Sequence, residues 1–182
     1  MKPLSDCMDL EAELAYVEGR MFSPEQAANY FEHKARIAAK RHQDRVSLDL
    51  LLEASSIYSV LGEPRKQAEC LDWAGKSAHF LREYVQKAEL KERSGELYEA
   101  AGHNEKEAAY SYLWAADTLI LMSDNYQHAE KIHLLMAKGT ELLEKSAPGA
   151  VNGFLRKLFR LYGEFKEDNP PKKDSDSQQT DS

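Results

Sequence analysis

The sequence predicts an all-α protein, a short right-handed α-solenoid of about four antiparallel helix pairs followed by a disordered C-terminal tail. The chain matches itself at a spacing of forty residues, and helix-start and helix-stop residues recur at that spacing. Two helices of about fifteen residues with their turns fill such a period. No segment alternates apolar and polar residues with period two, and no Asn-Gly hairpin turn occurs, so we expect no strands.

Small residues and tyrosines carry the forty-residue repeat. Ala28, Ala68 and Ala108 fall in register, as do Tyr58 and Tyr98. Small side chains let helix axes approach closely, and stacked pairs need this because no pair can bury its apolar face alone. Small residues also recur within the second helix of each unit: Ala28, Ala35 and Ala38; Ala68, Gly75 and Ala78; Ala108 and Ala115.

Two segments carry helix-start signals. Ser23 can cap a free backbone N–H, Pro24 suits the first helical position, and Gln26 completes a capping box. Asn104 followed by Glu107 predicts a similar start for a later helix.

Helix stops complete the predicted organisation. Gly62 and Gly102 lie where a helix should end and turn. The helices are predicted near residues 6–21, 24–42, 46–61, 64–83, 86–101, 105–122, 126–145 and 150–166. They form one helical-repeat domain, residues 1–166, with units of about 5–42, 45–83, 85–122 and 125–166. Residues 167–182 are an acidic tail with no apolar residue beyond two prolines, so we expect this tail to be disordered.

Composition restricts the class of protein and of partner. The 182 residues are 42% hydrophobic and 30% charged, which is typical of a globular chain. A net charge of −7 repels phosphate backbones, so nucleic acid is not an expected partner. Cys7 and Cys70 form no CxxC pair, and neither an export signal nor a membrane-spanning apolar run is visible. A cytoplasmic location is the expectation, although a secreted effector without a cleaved signal would look the same.

The order of a turn glycine, paired small residues and an aromatic-rich helix resembles tetratricopeptide-like repeats. The segments 68–78 and 102–110 are most similar to the soluble NSF-attachment protein (SNAP-like) branch, and the resemblance covers roughly residues 5–145. It implies a helical-repeat adaptor with a protein partner. Gly62 and Gly102 lie six residues before an alanine, whereas the tetratricopeptide consensus has about five. The acidic, leucine-rich end with which that family engages its ATPase has no match here, so SNARE-complex disassembly is not carried over.

Catalytic and metal motifs receive no support from the sequence. Gly75-Lys76-Ser77 resembles the end of a phosphate-binding loop, but that loop needs a glycine where Cys70 stands. No two histidines have the i, i+4 spacing of a helical zinc site, and Glu130 with His133 is only half of a di-metal motif. We therefore expect neither enzyme activity nor a cofactor.

Three tyrosines are candidate binding residues. Tyr16, Tyr58 and Tyr98 lie on the first helices of successive units, which usually line the concave surface of stacked repeats. Tyrosine combines a rigid apolar ring with a polar tip, which suits recognition. The alternative interpretation is that these rings pack between helices as core.

A basic patch is the second candidate. Lys40, Arg41 and Arg45, with Lys34 and Arg36 nearby, could meet an acidic peptide or an anionic lipid surface. The alternative is a solvated face whose charges pair with neighbouring acids.

The last predicted helix is the third candidate. It interleaves apolar and basic residues, including Phe154, Arg156, Lys157, Phe159 and Arg160. Such a helix can lie on a membrane or dock into a partner. It can equally cover the exposed end of the solenoid as a cap.

These features favour a non-catalytic protein–protein interaction scaffold or adaptor that binds a helix or peptide in a helical-repeat groove. One alternative is a membrane-surface trafficking or effector adaptor that uses the basic last helix. Another is an enzyme of unrecognised class, which a deep pocket holding a perturbed histidine or carboxylate would support.

Overall fold

The computed structural model describes residues 23–122, 125–150 and 153–171. The predicted all-α class is confirmed, since these ranges contain seven α-helices, one short 3-10 helix and no strand. The predicted first helix, residues 6–21, and Tyr16 lie outside the described residues. The helices are α1 (Pro24–Lys40), α2 (Asp44–Val60), α3 (Pro64–Phe80), α4 (Tyr84–Ala101), α5 (Glu105–Ile120), the 3-10 helix (Asn125–His128), α6 (Ala129–Ser146) and α7 (Gly153–Asp168).

The stack is more regular than the forty-residue repeat predicts. The first four of these helices begin at Pro24, Asp44, Pro64 and Tyr84, so consecutive helices start twenty residues apart. From α1 to α6, each helix packs against the helices next to it in sequence. Short turns make neighbours antiparallel, so α1, α3 and α5 run in one direction and α2 and α4 in the other.

The turns repeat with the helices. His42, Gly62 and Arg82 all have positive φ values, 58°, 69° and 62°. The N–H of the following residue donates to a carbonyl five residues earlier, which is the Schellman motif. The helix stop predicted at Gly62 is confirmed, whereas the stops at His42 and Arg82 carry no glycine signal. The three bonds join Gln43 to Ala38 at 3.0 Å, Glu63 to Tyr58 at 3.0 Å and Glu83 to Ala78 at 2.9 Å.

The two predicted helix starts have different outcomes. The Ser23 hydroxyl accepts from the backbone N–H of Gln26 at 3.2 Å, and the Gln26 side chain accepts from that of Ser23 at 3.0 Å. The capping box is therefore confirmed. Asn104 does precede α5, but its side chain caps nothing and donates instead to the Gly102 carbonyl. The predicted Asn104 cap is wrong because its amide closes the preceding turn.

The small residues of α1, α3 and α5 are buried between helices, as predicted. A Cβ placed on Gly75 would lie 3.3 Å from the Lys91 side chain, so α3 and α4 approach closely there. Buried apolar side chains form two clusters that meet at α3. Cys70 belongs to the cluster of α1 to α3, and Leu71 belongs to the cluster that continues to α7.

The last helix packs on the stack mainly through side chains. Leu155, Leu158 and Phe165 are buried in the second cluster. Near the far end of α7, the His133 ring of α6 lies 2.8 Å from the Tyr162 hydroxyl and 2.7 Å from the Asn169 carbonyl oxygen. The apolar face of α7 is thus covered by α5 and α6, which agrees with the capping interpretation.

Residues 167 and 168 are helical, so α7 runs two residues past the predicted start of the tail. Residues 172–182 lie outside the described part of the chain. Within the described ranges, no helix has both the length and the apolar character needed to cross a bilayer.

Candidate ligand-binding groove

A cavity of about 690 Å³ opens where the C-terminal ends of α3 and α5 meet the N-terminal half of α4. Its size lies within the range of roughly 300–1,000 Å³ that is typical of ligand sites. We call it the lysine groove, because four lysines line it together with one aspartate and several aromatic residues. The lysines are Lys76, Lys87, Lys91 and Lys157.

Helical spacing explains how this lining arises. Side chains three and four residues apart lie on one face of a helix. Lys87 and Lys91 are such a pair on α4, Trp114 and Asp117 are such a pair on α5, and α3 contributes Lys76 with His79 and Phe80 at the same spacing. Because the ends of these antiparallel helices meet, the three faces enclose one space.

The repeat itself shows what is unusual about the groove. Forty residues before Lys87 and Asp117 stand Ser47 and Ser77. Those two serines are buried and joined by a hydrogen bond of 3.0 Å, which closes the interface between α2 and α3. The corresponding interface between α4 and α5 carries a lysine and an aspartate and is open. The groove therefore lies at a repeat position where a packed serine pair is replaced by two charged residues.

Lys91 is a buried lysine with a partner. It replaces Leu51 of the preceding unit and forms an ion pair with Asp72. Burial lowers its pKa, while the charge of Asp72 opposes that shift. Lys76 also pairs with Asp72, at 3.3 Å, so one carboxylate serves two of the four lysines.

Lys87 is a buried lysine without such a partner. It is 9% exposed, and burial lowers its pKa, opposed by the charge of Asp117. Among the described residues it forms no ion pair within 4.0 Å. Its ammonium lies 5.7 Å from the centre of the Trp114 ring. The floor of the groove therefore holds a positive charge that is only weakly compensated.

Among the residues that the structure describes, Asp117 is the only acidic one that lines this cavity. It is 7% exposed, and burial raises its pKa, while Lys157 and Lys87 act in the opposite direction. On the wall beside it, burial and the charge of Lys87 lower the pKa of His79. The groove thus contains several ionisable groups whose charged forms are disfavoured by burial.

The rim of the groove is apolar and exposed. Phe80 is 70% exposed and Leu121 is 58% exposed, beside the partly exposed rings of Trp114 and Tyr84. Trp114 is held in place because Phe154 of α7 stacks on it at 4.0 Å between ring centres. A group of large exposed apolar side chains that is bordered by charged residues is typical of an interaction site.

A second, more open cavity of about 670 Å³ continues the groove along the same end of the stack. It shares Tyr84 and Met122 with the first cavity and reaches Arg82 and Arg45. Arg45 forms an ion pair with Glu83 there. The basic patch predicted from the sequence thus touches this extension through Arg45.

The other residues of the predicted basic patch lie away from the groove. Lys40 and Arg41 are exposed at the end of α1. Arg36 pairs with Glu32, and Lys34 lies 5.4 Å from the centre of the Tyr30 ring. The pairings of Arg36 and Arg45 agree with the alternative interpretation, a solvated face with neighbouring acids.

The two described tyrosine candidates are core residues, which corrects the prediction of a tyrosine-lined surface. Tyr58 is fully buried, and its hydroxyl donates to the Asn29 side chain at 2.8 Å. Tyr98 is also buried, in the second cluster. Burial raises the pKa of both phenols. The small residues draw the helices so close that the rings are enclosed between them.

The candidates on α7 divide into two sets. Lys157 lines the groove and Phe154 supports Trp114, so both belong to the site. Arg156, Phe159 and Arg160 are exposed on the outer face of the helix. The sequence analysis did not identify Lys87, Lys91 and Asp117 as site residues. Each is a charged residue that stands forty residues after a serine or leucine, and this difference between repeats could have indicated the site.

In the described ranges, no group of three or more His, Cys, Asp or Glu residues is arranged to hold a metal ion. Comparisons with protein-family models, curated proteins and solved structures find no match for this chain. The chemistry of the groove is therefore the basis for a functional proposal.

Proposed function

We propose that this protein is a non-catalytic interaction module that binds a segment of a partner protein in the lysine groove. The observation that carries the proposal is an open cavity with buried cations at its floor and exposed aromatic and aliphatic side chains at its rim. Aromatic and cationic side chains in desolvated pockets supply much of the binding energy at protein interfaces.

The finer parts of this proposal are a tetratricopeptide-like or SNAP-like adaptor and its action in the cytoplasm, and two features support the adaptor. The paired helices keep a forty-residue period, and Gly62 ends α2 in the left-handed conformation. Stacked pairs of this kind commonly present extended binding surfaces. The net charge of −7 favours a protein partner over nucleic acid.

A pull-down from cell extract with quantitative mass spectrometry tests the proposal. The groove variant is Phe80→Ser/Leu121→Ser, which changes two exposed rim residues and should leave the fold intact. The matched control is Val60→Ser/Leu134→Ser, since Val60 is 86% and Leu134 54% exposed and neither lines the groove.

We expect a partner that the intact protein and the control retain and that the groove variant loses. Retention by all three proteins would move the interface away from the groove. If none of them retained a partner, the interaction module would lose its support.

A membrane-surface adaptor remains the first alternative. It would use α7, but the apolar side chains Leu155, Leu158 and Phe165 of that helix are buried against the stack. Flotation of the protein with anionic vesicles separates the two functions, and we expect no flotation.

An enzyme is the second alternative, and the groove contains an observation in its favour. Asp117, His79 and Lys87 lie in one cavity, and burial shifts the pKa of each towards its neutral form. Such clusters occur at catalytic sites, where a neutral lysine can act as a nucleophile or base. If Lys87 becomes reactive towards an amine-specific reagent at no lower pH than the exposed Lys106, this alternative loses its basis.

A further inference from the structure

We propose that the lysine groove takes an acidic amphipathic segment of a partner protein. A side-chain carboxylate of that segment replaces Asp117 as the counter-charge of Lys87 and Lys157. A neighbouring aliphatic or aromatic side chain packs against Phe80 and Leu121. This inference rests on the proposed function and adds to it the chemical class of the partner.

The balance of charge around the groove selects an anion. Asp72 is committed to Lys91 and Lys76, with which it forms ion pairs. Lys87 and Lys157 then share the single carboxylate of Asp117, so a local positive excess remains on a chain of net charge −7. A positive groove on an acidic protein favours acidic partners and steers them to this face.

The geometry around Asp117 leaves room for a competing carboxylate. Asp117 faces Lys87 and Lys157, yet among the described residues it forms no ion pair within 4.0 Å. The Lys87 ammonium is therefore a buried cation without a close partner, which is costly, and a carboxylate that enters to hydrogen-bond distance of it would relieve that cost. By contrast, the hydroxyls of Ser47 and Ser77 at the equivalent positions form a hydrogen bond of 3.0 Å and carry no charge.

The rim requires that the anion be amphipathic. A small anion alone would leave Phe80, Leu121 and the exposed part of Trp114 in water. On a helix, side chains three or four residues apart lie roughly 5–6 Å apart, close enough for one to enter the floor while the other covers the rim. A carboxylate within one helical turn of a leucine or phenylalanine meets both requirements.

Fluorescence anisotropy with synthetic peptides tests the inference. The probe is a labelled peptide of Glu and Leu at helical spacing. Its two matched peptides replace every Glu by Gln or every Leu by Ser. Trp114 gives a second readout at the site in a Trp73→Phe background, because Trp73 and Trp114 are the two tryptophans of the chain.

Three protein variants make the test specific. Lys87→Met should weaken binding of the acidic amphipathic peptide by about tenfold, since it removes the buried cation. Asp117→Asn should tighten binding severalfold, because it removes the competing carboxylate. Lys106→Met, at the opposite end of α5, should change nothing. Circular dichroism checks that each variant remains helical.

The inference is overturned if the Gln peptide binds as tightly as the acidic one, or if Lys87→Met and Lys106→Met behave alike. It is also overturned if Asp117→Asn weakens binding. The rim variant Phe80→Ser/Leu121→Ser keeps this failure distinct from that of the proposed function. If that variant loses the partner but no acidic peptide binds, only the proposed class of ligand is rejected. If that variant retains the partner, the proposed function itself is rejected.

Discussion

Lys87 and Asp117 are charged residues at positions that the preceding repeat fills with serines. Burial lowers the pKa of Lys87 and raises that of Asp117, so folding disfavours both charged forms. The pKa of Lys87 is lower in the folded than in the unfolded state. Between these two pKa values the unfolded state binds more protons, so the contribution of Lys87 to stability rises with pH in that range. The pKa of Asp117 is higher in the folded state, so its contribution to stability falls as the pH rises just above the ordinary pKa of an aspartate. At neutral pH, both pKa shifts therefore reduce the stability of the folded state.

We therefore expect Lys87→Ser/Asp117→Ser, which copies Ser47 and Ser77 into the groove, to raise stability at pH 7. A gain of about 1 kcal/mol would raise Tm by roughly 2–4 °C in a protein of this size. Thermal unfolding measures the change, and Lys106→Ser serves as the surface control. The same double variant should no longer bind the acidic amphipathic peptide. A fall in Tm would show instead that the charged pair holds the stack together.

At the scale of the elements, α5 and α6 approach each other closely at Gly139. A Cβ on Gly139 would lie 2.7 Å from Cγ of Leu113 and 3.1 Å from the backbone oxygen of Ala109. The backbone oxygen cannot move aside without displacing α5. The space between the two helices therefore admits only a hydrogen at this position.

Gly139→Ala should destabilise the protein by about 1–3 kcal/mol, because overpacking outweighs the better helix propensity of alanine. The matched variant is Gly163→Ala on α7, where an added Cβ meets nothing within 4 Å. That variant should stabilise by roughly 0.5–1 kcal/mol. Urea denaturation measures both free energies of unfolding. A shift of the same sign in the two variants would contradict the close approach of α5 and α6.

The turns show how packing overrides local preference. His42 and Arg82 adopt left-handed backbone angles that cost a non-glycine residue roughly 1–2 kcal/mol. Their turns have the same hydrogen bonds as the turn at Gly62. The twenty-residue spacing of the helices is therefore maintained by stacking and by these hydrogen bonds. Glycine lowers the backbone strain of such a turn but is not required for the turn to form.

In the whole molecule, stability should be unevenly distributed. The two buried clusters meet at α3, and α4 is packed by helices on both sides, whereas α7 contacts the stack on one face. In a stacked protein, local opening is easiest where neighbours are fewest. Backbone amides of α7 should exchange hydrogen faster than those of α4, as measured by mass spectrometry. Equal protection of the two helices would show that the stack opens only as a unit.

For the described residues, the sequence alone predicted the seven α-helices and their order, because helix signals are local. The capping box at Ser23, the stop at Gly62 and the buried alanines of α1, α3 and α5 could all be read from short segments and from the forty-residue period. The period also placed Lys87 in register with Ser47, which was a readable sign of an altered interface.

Only the tertiary structure decided which faces of these helices are covered. Tyr58 was predicted to line a groove, and close packing encloses its ring between helices instead. The groove depends on Trp114 meeting Phe154, forty residues away, and on Lys87 facing Asp117, thirty residues away. Periodicity identifies the residues that share a face. It cannot say whether a distant segment covers that face, because coverage depends on how separate helices pack against one another.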